Sequence, residues 1–257
     1  MNRRRNWSRN ELILAANLYC KTPFGRLHSR NPNVVTLAKL LGRTSSAVAW
    51  KLVNFASLDP SLKRRGIKGA PNVSHLDKEV WNEFYTDWER LAYESETLLA
   101  KWKGDPIESL AQIDPSELPR SGRDRKALVK VRVNQNFFRA AVLSAYESCC
   151  CITGLAIPDL LNASHIVPWA MDEKNRTNPQ NGLCLNAIHD RAFDRGFLTI
   201  TPEYRVLVAA SVRSSSRRSN AVQHLLSKYH GRRIRLPHRF LPDQAFLEYH
   251  MKEVFRR

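Results

Sequence analysis

The sequence predicts an α+β fold: a mainly α-helical N-terminal domain, then a C-terminal part organised around two short strands and a helix. Three observations lead there. Apolar residues recur at helical spacing, with start and stop signals, through most of residues 8–103. Short strand-like runs at 162–167 and 182–185 are followed by a helical pattern over 186–194. The chain is 257 residues long and 43% hydrophobic, enough for one or two domains with a true core.

The elements follow in order. Ser8 caps the first helix, Glu11 completes a capping box, and Trp7 is placed to staple against Leu12. Leu12, Ile13, Ala16, Leu18 and Tyr19 form its apolar run, which Pro23 and Gly25 end. Val34–Leu41 puts Leu37, Leu40 and Leu41 on one face, and Gly42 supplies a turn. Thr44 then caps a helix with Val48, Leu52 and Phe55 inward. This helix–Gly–helix spacing resembles a helix-turn-helix, and a plain helical hairpin gives the same pattern. In the first case Ser45, Ser46, Lys51 and Asn54 face outward towards phosphates and base edges, with Arg43 beside them. Trp50 either stacks on a base or fills a core gap.

Residues 59–73 read as a basic Pro/Gly loop, and a single long helix is expected from Ser74 to Trp102. Its stripe of Leu76, Val80, Trp81, Phe84, Trp88 and Leu91 reads as core. Gly104–Gly122, with Pro106, Pro115 and Pro119, reads as a linker. A further amphipathic helix, Arg132–Ser148, carries Phe137, Phe138, Ala141, Val142 and Ala145. The expected division is 1–103, a linker over 104–125, and 126–257.

Charge narrows the function classes. Forty-one Lys and Arg face 24 Asp and Glu, a net +17 with pI near 10.1, which points to a polyanionic partner. The charge is regional. Residues 72–117 carry 11 acids and 4 bases, while 201–240 carry 9 Lys and Arg against one acid and 120–139 carry seven against Asp124. The Arg-rich stretch 213–239 is therefore a candidate surface for tracking DNA. No apolar run reaches the ~20 residues that span a bilayer, so no membrane partner is expected. The basic N-terminus lacks the apolar stretch of a signal peptide, and five cysteines, three adjacent at 149–151, do not form a disulfide framework; a cytoplasmic protein is expected. With no CxxC pair there is no zinc ribbon, and the cysteines read as small buried apolar residues.

Residues 151–200 carry the chemistry. A strand ends near His165, a polar loop covers 171–182, and a second strand feeds a helix bearing His189. His165, Asn181 and His189, spaced by 16 and 8 residues, converge if the hairpin closes onto the helix.

The run Ser-His-Ile-Val-Pro-Trp, the step Asn-Gly-Leu-Cys-Leu and the helix His-Asp-Arg-Ala-Phe-Asp-Arg-Gly closely resemble the HNH endonuclease family, in its bacterial restriction-type branch. The resemblance covers about 50 residues strongly and extends more weakly to a helical tail at 236–255. It implies a ββα-metal fold and metal-dependent hydrolysis of phosphodiester bonds in double-stranded DNA, leaving a 5′ phosphate and a 3′ hydroxyl. His165 then resembles the general base, His189 the helix-borne metal ligand, and Asn181 the residue that ties the loop to the hairpin and orients the base. Ser164 stands where many relatives have an Asp or second His as metal ligand, and a hydroxyl is a poor one. Asp190 and Asp194 are candidate substitutes; because Asp194 lies about 140° around the helix from His189, a structural role pairing it with a loop is favoured for it. Arg191 and Arg195 either clamp the phosphate or pair with these acids. Mg²⁺ leads as the ion, with Mn²⁺ or Zn²⁺ tolerated by a His-based site. His75, His224 and His250 read as hydrogen-bonded core histidines.

The resemblance further implies a restriction or defence enzyme, with modified DNA among its candidate targets, and one site per chain favours a homodimer for cutting both strands. The N-terminal stretch is similar to a module attached to HNH domains in other bacterial proteins. Two other readings remain open: a non-catalytic DNA-binding regulator on an HNH scaffold, and a nuclease acting on RNA or structured DNA.

Overall fold

The computed structural model describes residues 5–67, 70, 73–215 and 219–257, so the extreme N-terminus and parts of the basic runs at 68–72 and 216–218 lie outside the described residues. Packing divides the chain into two units, 1–141 and 142–257.

The first unit is helical. Its helices are α1 (Arg9–Lys21), α2 (Pro32–Leu41), α3 (Ser45–Leu58), α4 (Pro60–Arg64), α5 (His75–Thr86), α6 (Trp88–Lys103), α7 (Ile107–Leu110) and most of α8 (Arg123–Ala145). Ser8 and Glu11 form the expected capping box on α1, and Thr44 caps α3 as expected; α2 starts two residues before the expected Val34, with Asn31 as its cap ahead of Pro32. Gly42, at φ +60, makes the left-handed turn between α2 and α3. Tyr19, Phe55 and Trp81 meet at the core, with Phe55 and Trp81 stacked at 6.0 Å.

Several expectations are corrected. The long helix is two, α5 and α6, because Asp87 leaves helical geometry (φ −150) and its carboxylate caps the Arg90 amide at 3.0 Å. The stretch expected as a linker is folded: Ile113 and Leu118 are buried with Val129 and Val133 in a small satellite core. That packing starts α8 at Arg123, nine residues before the expected Arg132. The basic loop contains α4, capped by Asp59, which also accepts a hydrogen bond from Tyr19 at 3.1 Å. The packing division falls inside α8, after Ala141.

In the second unit, β1 (Leu161–His165) pairs antiparallel with β2 (Gly182–Asn186), with Ser164 opposite Leu183 and His165 opposite Gly182. Helix α9 (Ala187–Asp194) follows at once and packs on both strands. A second hairpin, β3 (Leu198–Ile200) and β4 (Val206–Val208), leads to α10 (Ala210–Ser215), α11 (Asn220–Leu225) and α12 (Gln244–Tyr249), the last continued by a wide turn to Val254. Gly196 fixes the seam with the C-terminal segment. It has φ +70, and a Cβ there would lie 2.1 Å from the Val254 carbonyl oxygen. Of the three histidines expected in the core, only His250 is buried; His75 and His224 are exposed. Among the described residues no helix is long and apolar enough to cross a membrane.

Candidate active site in the second unit

Strand alternation sets which side chains meet α9. Asn162 and Ser164 share one face of β1, and Asn162 donates to the Asp190 carboxylate on α9 at 2.7 Å, so Ser164 also points towards that helix. Ser164 is buried, and its Oγ has no hydrogen-bond partner. Asp190 is engaged by Asn162 through one carboxylate oxygen.

His165 lies on the opposite face at the strand end. Its Nε2 is 2.8 Å from the carbonyl of Arg176, which can only accept. Nε2 therefore carries the proton, and the lone pair of the neutral ring sits on Nδ1. Burial lowers the His165 pKa, against the opposing effects of the Arg176 carbonyl and the Asp190 charge. Trp169 meets the imidazole edge-to-face at 5.4 Å, and Arg176 bonds the Trp169 carbonyl at 2.7 Å while lying 5.3 Å from its ring. Loop 169–176 thus holds the ring from two sides. Asn181 anchors that loop: its Oδ1 accepts from Val167 N at 2.8 Å, and its Nδ2 donates to the carbonyls of Val167 and Asn175 at 3.2 Å.

His189 sits in the first turn of α9 and is 2% exposed. Asn186, the N-cap, accepts from the His189 amide at 2.9 Å and lies 3.0 Å from its Nδ1. The acceptor oxygen places the proton on Nδ1 and leaves the lone pair on Nε2. That Nε2 is buried, and nothing completes a hydrogen bond to it, although the Leu225 carbonyl approaches the ring. Burial lowers the His189 pKa to about 4, with the Leu225 carbonyl opposing and the charge of Lys228 reinforcing.

Sequence reasoning missed Asn186, Arg176 and Trp169, and it reached Lys228 and Arg232 only within the broad Arg-rich stretch 213–239, with no role for Tyr229. Asn186 had a signal, an Asn three residues before His189 at a helix start. Arg176 acts through its backbone carbonyl, which leaves no trace in side-chain chemistry. Arg191 and Arg195, at +2 and +6 from His189, lie about 200° and 240° around the helix from it. Their charges act on Asp194, lowering its carboxyl against the larger upward push of burial and Asp190.

The set nominated on α3 in the first unit is largely engaged internally. Arg43 makes a bidentate pair with buried Glu11 at 2.9 Å, bonds the carbonyls of Arg5 and Asn6, and stacks 4.1 Å from Trp7. Lys51 and Asn54 both bond the buried Asp77, at 2.9 and 3.1 Å, so Asn54 faces inward, not outward. Ser45 is half-buried and Ser46 exposed. Trp50 is 63% exposed, which excludes the core-filling alternative.

A two-stranded hairpin closed onto a short helix, with one imidazole at the strand end and one on the helix, defines a ββα nuclease-type unit. Residues 150–201 match the sequence model of the HNH endonuclease family, about one fifth of the chain, and this segment is an HNH endonuclease domain. A search of curated proteins found no match to the chain.

Among the described residues no three His, Cys, Asp or Glu side chains gather as a metal-binding group. The donors that are present, the unpartnered Nε2 of His189 and the unpartnered Oγ of Ser164, are of a chemistry that suits a divalent ion anchored by one imidazole and completed by water and phosphate oxygens, but both are sealed from solvent, so an ion would reach them only if the cover over them moved. They do not fit a closed protein cage.

Proposed function

We propose that the chain is a metal-dependent endonuclease hydrolysing phosphodiester bonds of double-stranded DNA, with a restriction or defence role. The observation that carries this reading is the pair of oppositely prepared imidazoles. His165 has its lone pair on Nδ1 and a carbonyl holding its other nitrogen, and His189 has its lone pair on Nε2 with no partner.

In this reading His165 Nδ1 removes a proton from water as the water oxygen bonds to phosphorus and the P–O3′ bond breaks. The carbonyl of Arg176 favours the imidazolium that results. Asn181 keeps loop 169–176, and so the base, in register with the hairpin. His189, with Ser164 alongside, holds a divalent ion, Mg²⁺ before Mn²⁺ or Zn²⁺. When bound, that ion supplies stabilisation of negative charge on the phosphate and the departing oxygen. The α2–α3 pair acts as a helix-turn-helix-like unit whose duplex contacts fall to Ser46 and Trp50. The enzyme is cytoplasmic and cuts both strands as a homodimer.

The test is plasmid and phage DNA cleavage, modified and unmodified, with Mg²⁺, Mn²⁺ or EDTA. His165→Ala is expected to lower the rate by about 10²–10⁴ with the melting temperature retained. Because His165 must be neutral and its pKa is lowered, the acid limb of the rate profile is expected below pH 6.5. An acid limb above that value removes His165 as the base. The rival reading, a non-catalytic DNA-binding regulator, draws on one observation: the Nε2 of His189 is sealed from solvent. DNA binding without cleavage under every metal would establish it.

A further inference from the structure

The seal over His189 is made by a definite piece of the second unit. Tyr229 meets the imidazole edge-to-face at 5.2 Å, and the Leu225 carbonyl approaches the same ring. Both belong to the segment of α11 and the turn after it. Its outer side is unlike its inner side. Lys228 Nζ lies 5.1 Å and the Arg232 guanidinium 5.8 Å from the centre of the Tyr229 ring. Both cations are exposed, and among the described residues neither makes an ion pair with an acid. Elsewhere in this unit Arg235 pairs with Glu147 and Arg176 with Glu173, while Arg256 is braced on Phe197 at 4.9 Å; Lys228 and Arg232 differ in sharing the ring that lies against His189. Two uncompensated charges held on the ring that covers a metal-ligand candidate are a specific arrangement. A solvated cation shields a polar surface equally well without an aromatic brace, whereas braced cations keep a fixed geometry for an anion.

We infer that Asn220–Arg232 is a phosphate-binding cover: Lys228 and Arg232 meet the backbone phosphates of nucleic acid, and Tyr229 shuts off the imidazole of His189. The inference rests on the reading of His189 as the helix-borne ligand of a nuclease site. It assigns substrate contacts to a segment that begins at Asn220, 19 residues beyond the end of the matched HNH stretch at 201. For an ion to reach Nε2, Tyr229 must leave the ring.

Two measurements on the full chain test the inference. The first is the salt dependence of duplex DNA binding, by fluorescence anisotropy in EDTA. Lys228→Gln with Arg232→Gln is expected to shallow the slope of log affinity against log salt by about 2, one contact per residue, with Lys228→Arg retaining its contact. Lys252→Gln, whose partner is Glu248, serves as the control and leaves the slope unchanged. The second is modification of His189 by diethyl pyrocarbonate, read by peptide mass spectrometry. Tyr229→Ala is expected to speed it about tenfold or more at unchanged melting temperature, while Tyr229→Phe, which keeps the ring, matches wild type. An unchanged slope in the double variant, or an unchanged His189 rate in Tyr229→Ala, overturns the cover. Both expected results in a protein that cuts nothing under any metal would keep the cover and discard the nuclease.

Discussion

The first turn of α3 in the helical unit and the first turn of α9 in the HNH unit treat polar side chains in opposite ways. Around α3, every strong group finds an internal partner. Burial raises the Glu11 carboxyl, but hydrogen bonds from Arg43 and Ser8 and the charges of Arg43 and Arg5 outweigh it and hold the pKa below the ordinary value. Asp77, fully buried, takes Lys51, Asn54 and the Ser74 amide. Even the cleft of about 960 Å³ at this end of α3, lined by Arg5, Trp7, Arg43, Thr44, Lys51 and Ser74, has its cations countered from behind. Around α9, Ser164 Oγ and His189 Nε2 are buried with nothing to bond. An orphaned buried polar atom costs about 1–3 kcal/mol. Such atoms also occur away from the site, as at Tyr85 Oη and Asn134 Oδ1; what sets α9 apart is that one of its two is an imidazole nitrogen in the first turn of a helix packed on the hairpin. A polar residue's type does not say which treatment it receives; its partners do.

The comparison predicts its largest effect at Arg43. This residue was nominated as a DNA contact, but its guanidinium is mostly buried against Glu11. Arg43→Ala leaves the Glu11 charge buried with only Arg5 beside it, and is expected to cost about 3 kcal/mol or more in urea unfolding of the chain. Retained stability with lost DNA affinity would break the contrast and return Arg43 to the interface.

Next in size is Asn186. Its carboxamide caps α9 and fixes the tautomer of His189 at one stroke. Asn186→Ala is expected to weaken Mn²⁺ binding, measured by electron paramagnetic resonance, by about 10–100-fold. The lost cap is worth only about 1 kcal/mol in stability. Asn186→Asp keeps both acceptor contacts and is expected to recover most of the affinity. If metal affinity falls no further than stability requires, Asn186 is only a cap, and the orphaned Nε2 is not poised for an ion.

What could be read in advance follows the range of the interactions. Local rules reached Ser8 with Glu11, Thr44, Gly42 and the two strands, because each is set within about four residues. The break at Asp87 was hidden, since a surface Asp in an unbroken apolar stripe looks the same whether or not it leaves helical geometry. Asn54 turned inward because Asp77, 23 residues away, is buried and lacks sufficient local partners. At the site, His165, Asn181 and His189 stood out as a pattern, yet the groups that prepare them did not. The Arg176 carbonyl is backbone, and Tyr229 lies 40 residues past His189. Motifs mark the reacting groups, and their tautomers and access are set by residues without a motif.

The smallest expected effect on stability is at Trp50, and for that reason it sharpens the comparison most cleanly. It is the one large side chain of α3 left without burial, at 63% exposure, one turn after the exposed Ser46. Removing it takes no core contact away, so Trp50→Ala is expected to change unfolding free energy by less than about 0.5 kcal/mol. If α3 is the element that meets DNA, the same variant lowers duplex affinity several-fold, and the loss persists at high salt because an aromatic contact releases no counterion. A loss that vanishes at high salt assigns the effect to neighbouring cations. No loss at any salt leaves α2–α3 a helical hairpin, with DNA binding carried by the second unit.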